Sequence, residues 1–131
     1  MNSMSRSLDA SRGHALVRLI LSTVGSEEDA ARLSRLWVED HRAACVTRIP
    51  GAASVYSWQG EIQEEQEILL LIKTSVQDEG GLQALLVSLA ADHPYDEPEL
   101  LVFGPDAGAS GYLDWIHAWC QGVEPSSEGG A

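Results

Sequence analysis

Residues 93–99 read His-Pro-Tyr-Asp-Glu-Pro-Glu, so an imidazole, a phenol and three carboxylates fall within one short segment. Neutral imidazole is a common protein ligand for copper, zinc and nickel, and carboxylate oxygens can complete such a site. The two prolines fix their own φ angles and hold the preceding residues extended, so the segment is stiff. His93 and Asp96 are therefore candidate metal ligands, with Glu97 or Glu99 as further oxygen donors. The alternative is that His93 only caps the preceding helix, whose C-terminal end favours a cation.

Lys73 is the only lysine of the chain, and it lies at the end of an apolar run. A charge in that position either pairs with a carboxylate, for which Glu67 and a helix carboxylate are the candidates, or reaches water. A third role is to receive an anionic ligand. Tyr56, Trp58 and Tyr95 either pack at a core or subunit interface, where Tyr and Trp are enriched, or line a small pocket at that interface.

The patterns that mark common catalytic sites do not occur in this sequence. There is no nucleophile elbow, phosphate-binding loop, dinucleotide fingerprint or H-E-x-x-H zinc motif. Cys45 has His41 four residues before it, but apolar neighbours usually mark an unreactive thiol. We therefore expect a protein that is not an enzyme and that has no obligatory cofactor.

The composition predicts a single acidic domain. The chain has 131 residues, with 20 acidic against 8 basic side chains and a formal net charge of −12. This charge argues against nucleic acid or an anionic membrane as a partner, because both attract positive charge. No apolar run approaches the ~20 residues needed to cross a bilayer, and the polar start of the chain does not resemble a signal peptide. We expect residues 14–120 to form one domain in the cytoplasm, with 1–13 and 121–131 disordered.

Hydrophobic periodicity predicts alternating strands and helices. Apolar runs predict strands near 15–21, 62–74 and 100–103, and a β-rich segment over 45–58 contains a Pro-Gly pair that indicates a bend or bulge. Helical spacing predicts helices that begin at Ser26 and near Asp78, and a third over 112–119. Gln59-Gly60 suits a tight hairpin turn. The order is βαββαβ plus a C-terminal helix, an α+β chain with the ferredoxin-like split βαβ pattern.

The predicted strands are apolar on both faces. In the first strand Leu19 opposes Ile20, and the run 68–72 is apolar throughout. Strands of this kind are normally buried on both sides, whereas the helices of the ferredoxin-like arrangement cover only one. Because a single chain lacks elements for the second face, we expect another subunit to cover it.

Four motifs, in this order, carry a resemblance to a known family. They are Ala-Ala-Cys-Val-Thr-Arg-Ile-Pro-Gly-Ala at 43–52, Ser-Val-Tyr-Ser-Trp-Gln-Gly at 54–60, Gln-Glu-Ile at 66–68 with Ile-Lys-Thr at 72–74, and His-Pro-Tyr at 93–95 with Pro-Glu at 98–99. At this spacing they resemble the CutA family of divalent-cation tolerance proteins. The resemblance covers about residues 19–119.

The resemblance implies a ferredoxin-like subunit assembled as a tight homotrimer, with sheets packed edge to edge around a threefold axis. It also implies a link to copper and other divalent cations, and a cytoplasmic location. His93 falls on the family's motif histidine, which makes it the best candidate metal ligand. Five residues fall on positions that line the cleft between neighbouring subunits, namely Tyr56, Trp58, Glu67, Lys73 and Tyr95.

The sequence departs from the family at two positions. Ser22 stands where some copper-linked members have a cysteine, and a hydroxyl is a far poorer Cu(I) ligand than a thiolate. Glu61 stands where relatives often have a basic residue.

We therefore expect a non-enzymatic trimer that binds divalent cations, copper among them, and acts in metal tolerance. Two alternatives stay open. One is a sensor or signalling trimer in which Lys73 and the cleft aromatics bind an anionic metabolite. The other is a structural scaffold that has no small ligand.

Overall fold

A computed structural model describes residues 16–123 of the chain. The elements are β1 (Leu16–Val24), α1 (Glu27–Glu39), β2 (Cys45–Trp58), β3 (Glu61–Val76), α2 (Glu79–Asp92), β4 (Leu101–Phe103) and α3 (Ser110–Cys120). The α+β class and the βαββαβ order with an added C-terminal helix are confirmed. The segment 1–13 and most of the segment 121–131, both predicted to be disordered, lie outside the described residues. No helix within residues 16–123 has the length and hydrophobicity needed to span a membrane.

The four strands form one antiparallel sheet in the order β2-β3-β1-β4. β1 is central, so that Ile20 faces Ile72 of β3 on one side and Val102 of β4 on the other. β2 and β3 form a long hairpin, and β2 and β4 are the two edges of the sheet. The short β4 leaves most of its side of β1 without a strand partner.

Glycines shape the hairpin where the sequence predicted a turn and a bulge. Gln59 and Gly60 connect the two strands, with φ angles of 52° and 83° respectively. Glycine at position 60 adopts its positive φ without strain. The pairing of β2 with β3 shifts register between Ile49 and Ala52, and Gly51 has a φ of 83° at that point. The Pro-Gly pair therefore bends the strand without ending it.

The helices begin and end where polar and proline residues predict. The Ser26 hydroxyl accepts a hydrogen bond of 3.0 Å from the Asp29 backbone N–H at the start of α1. The Asp78 carboxylate accepts one of 2.8 Å from the Gly81 backbone N–H at the start of α2. α2 ends at Asp92 because His93, which precedes a proline, is extended with φ −72° and ψ 141°. The end of α2 therefore fixes the start of segment 93–99.

The core lies between the sheet and helices α1 and α2. Apolar residues of β1 and β3 alternate, and the inward set packs against apolar residues of both helices. The largest fully buried members are Trp37, Ile20, Leu33, Leu70, Ile72 and Leu89. This packing fixes the sheet on which the site residues stand.

Asp92 joins the ends of α1 and α2. Its carboxylate accepts a hydrogen bond of 3.0 Å from the Trp37 indole and pairs with Arg42 at 2.8 Å. Burial alone would raise the pKa of Asp92, but the hydrogen bonds from Trp37 and Arg42 and the charge of Arg42 outweigh it. The pKa of Asp92 therefore lies below its usual value.

The second face of the sheet is covered only at one end. There α3 packs Leu113 and Ile116 against Val17, and the His117 ring contacts the Ser75 hydroxyl at 3.0 Å. Alternation places four half-buried leucines on the rest of this face, which we term the open face: Leu19, Leu21, Leu69 and Leu71. Within the described residues no element covers these four leucines.

Candidate functional site

A groove of about 680 Å³ lies between the outer half of the β2–β3 hairpin and segment 93–99. Five carboxylates line it, and none of its lining residues in the described part of the chain is a lysine, arginine or histidine. The carboxylates belong to Glu65, Glu67, Asp96, Glu97 and Glu99. We term this feature the acidic groove.

The hairpin register places the first part of the groove. Ser54 pairs with Glu65 and Tyr56 with Gln63, so Tyr56 and Glu65 are diagonal neighbours on one face of the hairpin. The Tyr56 hydroxyl donates a hydrogen bond of 3.1 Å to the Glu65 carboxylate. Loss of hydration, this hydrogen bond and the nearby carboxylate charges raise the pKa of Tyr56. Trp58 lies further along the same strand and is 58% exposed.

Tyr95 connects segment 93–99 to β3. Its hydroxyl donates a hydrogen bond of 3.0 Å to the Glu67 carboxylate. Burial, followed by this hydrogen bond and the charges of Glu67 and Glu65, raises the pKa of Tyr95 to about 12. The Tyr95 hydroxyl lies close to Gly25, since a Cβ on that residue would be 3.1 Å from it, tighter than an ordinary van der Waals contact. Tyr95 therefore stays protonated and holds the Glu67 carboxylate at the groove wall.

His93 lies behind the acidic groove and is only 6% exposed. Its Nδ1 accepts a hydrogen bond of 3.1 Å from the Tyr95 backbone N–H, so its Nε2 carries the proton and donates to the Thr23 carbonyl at 2.9 Å. Burial lowers the pKa of His93, although the Thr23 carbonyl and the charges of Asp29 and Glu67 act in the opposite direction. The neutral ring thus fastens segment 93–99 to the end of β1.

The two candidate metal ligands do not meet in one site. Asp96 is exposed and lines the acidic groove, whereas His93 does not line it and uses both ring nitrogens in backbone hydrogen bonds. Within residues 16–123 no three His, Cys, Asp or Glu side chains converge closely enough to hold a metal ion. Metal ligation by His93 requires its Nδ1 to release the Tyr95 N–H.

Lys73 is separate from the other predicted cleft residues. Tyr56, Trp58, Glu67 and Tyr95 share the acidic groove, but Lys73 lines a second pocket beside α3. Pairing of Lys73 with Glu67 is wrong, because the contacts of the Lys73 ammonium are the Thr47 hydroxyl at 3.4 Å and the Cys45 sulfur at 3.8 Å.

Three positions play roles that the sequence did not indicate or indicated differently. Glu65 lines the groove, and its alternation with Glu67 on β3 places both carboxylates on the same face of that strand. Gly25 lies close to the Tyr95 hydroxyl, a tertiary contact with no local signal in the sequence. Ser22 points into the core, is fully buried, and its hydroxyl has no hydrogen-bond partner within the described residues.

Comparison with known proteins agrees with the fold of this chain. The family model described as CutA1 divalent ion tolerance protein matches residues 18–119. The divalent-cation tolerance protein CutA of Pectobacterium atrosepticum is 44% identical over 100 residues, which are 76% of this chain and 88% of that protein. The crystal structure of CutA from Xylella fastidiosa superposes with a TM-score of 0.73 at 42% identity, covering 79% of this chain and 97% of that one.

A more distant relative differs in its described location. CutA from Archaeoglobus fulgidus, described as a periplasmic divalent cation tolerance protein, superposes with a TM-score of 0.72 at 27% identity. The alignment covers 80% of this chain and 99% of that one. The fold and site therefore define a small ferredoxin-like α+β protein with an acidic groove. The chain belongs to the CutA family of divalent-cation tolerance proteins.

Proposed function

We propose that this protein is a non-enzymatic homotrimer of the cytoplasm that binds divalent cations at the acidic groove and acts in metal tolerance. The observation that carries the proposal is the acidic groove, which five carboxylates line without a lining cation among the described residues. Such a surface attracts divalent cations, and the overall charge of −12 adds to that attraction. The relatives named for divalent-cation tolerance support the same function.

The donor atoms indicate which cations suit the groove. Carboxylate oxygens favour hard cations such as Mg²⁺, Ca²⁺ and Mn²⁺, whereas selective copper binding depends on imidazole or thiolate. The groove offers neither, since His93 is engaged behind it and Ser22 stands in the core. We therefore assign the ligand role to Asp96 and Glu67. We give His93 the role of positioning Tyr95, and Cu²⁺ is one acceptable cation rather than a preferred one.

The trimer proposal rests on the uncovered surfaces of the single chain. The open face carries four half-buried leucines, and Leu101 and Phe103 of the edge strand β4 are 53% and 49% exposed. Apolar surface of this kind marks a protein interface. Sedimentation equilibrium should give a mass near three times 14.1 kDa, and the mass of one chain would refute the assembly.

Calorimetric titration with Mn²⁺, Zn²⁺ and Cu²⁺ tests the groove. Glu67→Gln keeps an oxygen that can accept from Tyr95 but removes one negative charge, so we expect about tenfold weaker binding. Glu64→Gln is the matched control, because it makes the same charge change on the same strand but does not line the groove. Equal affinities in the two variants would contradict the proposal. A wild-type protein that binds none of the three cations would also contradict the proposal.

A further inference from the structure

The acidic groove is lined by exposed aromatic rings as well as by carboxylates. Three of its lining residues are aromatic, and their exposed fractions are 58% for Trp58, 41% for Tyr56 and 38% for Tyr95. Val55, which is 65% exposed, adds an aliphatic side chain to the same lining. Aromatic faces and aliphatic groups are not ligands for Mg²⁺, Ca²⁺ or Mn²⁺, which take oxygen. Binding of a metal ion therefore does not account for this part of the groove.

The carboxylates of the acidic groove are spread along it. Two of the five belong to β3, and three belong to segment 93–99 on the other side. Glu65 and Glu67 are two residues apart, a distance of ~7 Å along a strand, whereas a hard metal ion holds its oxygen ligands at ~2.0–2.6 Å. Within residues 16–123 no three His, Cys, Asp or Glu side chains converge closely enough to coordinate one ion together. A ligand with separated positive groups can therefore contact more of these carboxylates than a bare ion can.

The two carboxylates of β3 lie beside aromatic rings that hold them. The Tyr56 hydroxyl donates to Oε1 of Glu65 at 3.1 Å, and the Tyr95 hydroxyl donates to Oε2 of Glu67 at 3.0 Å. Each contact uses one carboxylate oxygen, and a carboxylate can accept several hydrogen bonds. A carboxylate next to an aromatic face suits an ammonium group, because the ring attracts a cation and the carboxylate accepts its N–H groups. No lysine or arginine of the described chain lines the groove, so these side chains do not supply that cation.

We propose that the acidic groove binds a linear organic cation that carries two or more ammonium groups on an aliphatic chain. The ammonium groups pair with carboxylates on both sides of the groove, and the aliphatic chain between them lies against Trp58 and Val55. The groove volume of about 680 Å³ is within the ~300–1,000 Å³ range of sites for small molecules. The proposal rests on the proposed role of the groove as a cation site, and it names a class of ligand that also uses the aromatic lining.

Calorimetry on the full chain compares two trivalent cations that differ in shape. Spermidine carries its charges along an aliphatic chain, whereas hexaamminecobalt(III) has the same total charge, is compact and has no aliphatic part. Spermidine should bind at least about tenfold more tightly, because only the extended cation contacts several carboxylates and the rings together. Equal or tighter binding of hexaamminecobalt(III) overturns the proposal, since it indicates attraction to an acidic surface alone. A protein that does not bind spermidine also overturns it.

Titration with Mn²⁺, Zn²⁺ and Cu²⁺ separates this proposal from the metal-binding function. A protein that binds one of these ions but not spermidine refutes the present proposal and leaves metal binding in place. A protein that binds spermidine in preference to hexaamminecobalt(III), but none of the three metal ions, supports the present proposal and contradicts metal binding.

Substitutions of Trp58 test the aromatic contact. Trp58→Leu keeps an apolar side chain but removes the ring, so it should weaken spermidine binding about two- to fivefold and leave Mn²⁺ binding unchanged. Trp58→Phe is the matched control, because it keeps an aromatic face, and it should bind spermidine more tightly than Trp58→Leu does. Equal spermidine affinities of these two variants overturn the aromatic contact.

Charge-matched variants locate the site. Glu65→Gln and Glu97→Gln each remove one negative charge, on opposite sides of the groove, and should each weaken spermidine binding at least about threefold. Glu64→Gln makes the same change on β3 but does not line the groove, and it should bind spermidine like the wild type. Spermidine should also shift the indole N–H NMR signal of Trp58, but not that of the fully buried Trp37. Equal affinity in all three variants, or an unshifted Trp58 signal, overturns the assignment to this groove.

Discussion

Replacing His93 with alanine should destabilise the protein by about 3–5 kcal/mol, because the ring is a buried structural connector. The change leaves the Thr23 carbonyl and the Tyr95 backbone N–H without their partners, at ~1–3 kcal/mol for each unsatisfied buried group. It also removes a ring that packs 4.8 Å, centre to centre, from the Tyr95 ring. Urea unfolding followed by tryptophan fluorescence measures the loss. All proteins should be compared at one chain concentration, since the stability of an oligomer depends on it.

The same residue predicts a pH dependence. Burial lowers the pKa of folded His93, whereas the unfolded chain titrates near ~6.5. Below that pH the unfolded state binds a proton that the folded state does not bind. The free energy of unfolding therefore falls as the pH drops below ~6.5, until the lower pKa of the folded state is reached. In His93→Ala this part of the slope between pH 7 and pH 5 should be absent.

A control variant separates the structural role of the His93 ring from effects of changes in the acidic groove. Tyr95→Phe removes the hydroxyl that donates to Glu67 but keeps the backbone N–H that His93 accepts. It should cost no more than ~1.5 kcal/mol and leave the pH slope unchanged. A His93→Ala protein within about 1 kcal/mol of the wild type, with the same pH slope, would refute the connector role.

Two further substitutions test the polar groups around the core. Asp92→Asn should lower stability by ~1–3 kcal/mol in urea unfolding at pH 7, because Arg42 loses the Asp92 carboxylate and keeps only its pair with the more exposed Asp40. In acid the wild type should lose this contribution as the pH falls below ~4, since the folded pKa of Asp92 is lowered, and a variant with an unchanged acid profile would contradict this. Ser22→Ala should raise stability by ~1 kcal/mol, because the buried Ser22 hydroxyl has no partner within the described residues. Ser34→Ala is its control, as the Ser34 hydroxyl donates to the Ala30 carbonyl at 2.6 Å, and equal effects of the two substitutions would count against the argument.

The boundaries of the elements could be predicted because local chemistry sets them. Ser26 caps α1, Gly60 turns the hairpin, and the proline after His93 ends α2. Each of these effects acts within a few residues of the chain and is therefore visible in the sequence. The ferredoxin-like order followed from the same local signals.

The roles of the candidate site residues could not be predicted from local sequence in the same way. The His93 ring contacts the Thr23 carbonyl, 70 residues away in sequence. No local sequence pattern indicates this contact, which occupies a ring nitrogen that could otherwise bind a metal. Tyr95 reaches Glu67 beside Gly25, which is far away in sequence and whose lack of a Cβ leaves space next to the Tyr95 hydroxyl. The residue types indicated which side chains could bind a ligand, whereas the tertiary contacts determine which of these side chains have atoms left to do so.

The position of Lys73 follows from strand geometry. Glu67 and Lys73 stand on the same face of β3, since they are an even number of residues apart, with Leu69 and Leu71 between them. Six residues of extended chain span ~20 Å, which is too far for an ion pair. Within one chain the two opposite charges therefore lie at the two ends of a leucine strip. If a second subunit covers that strip, as proposed, both the acidic groove and the second pocket beside α3 border the subunit interface. Binding at either site is then thermodynamically linked to assembly.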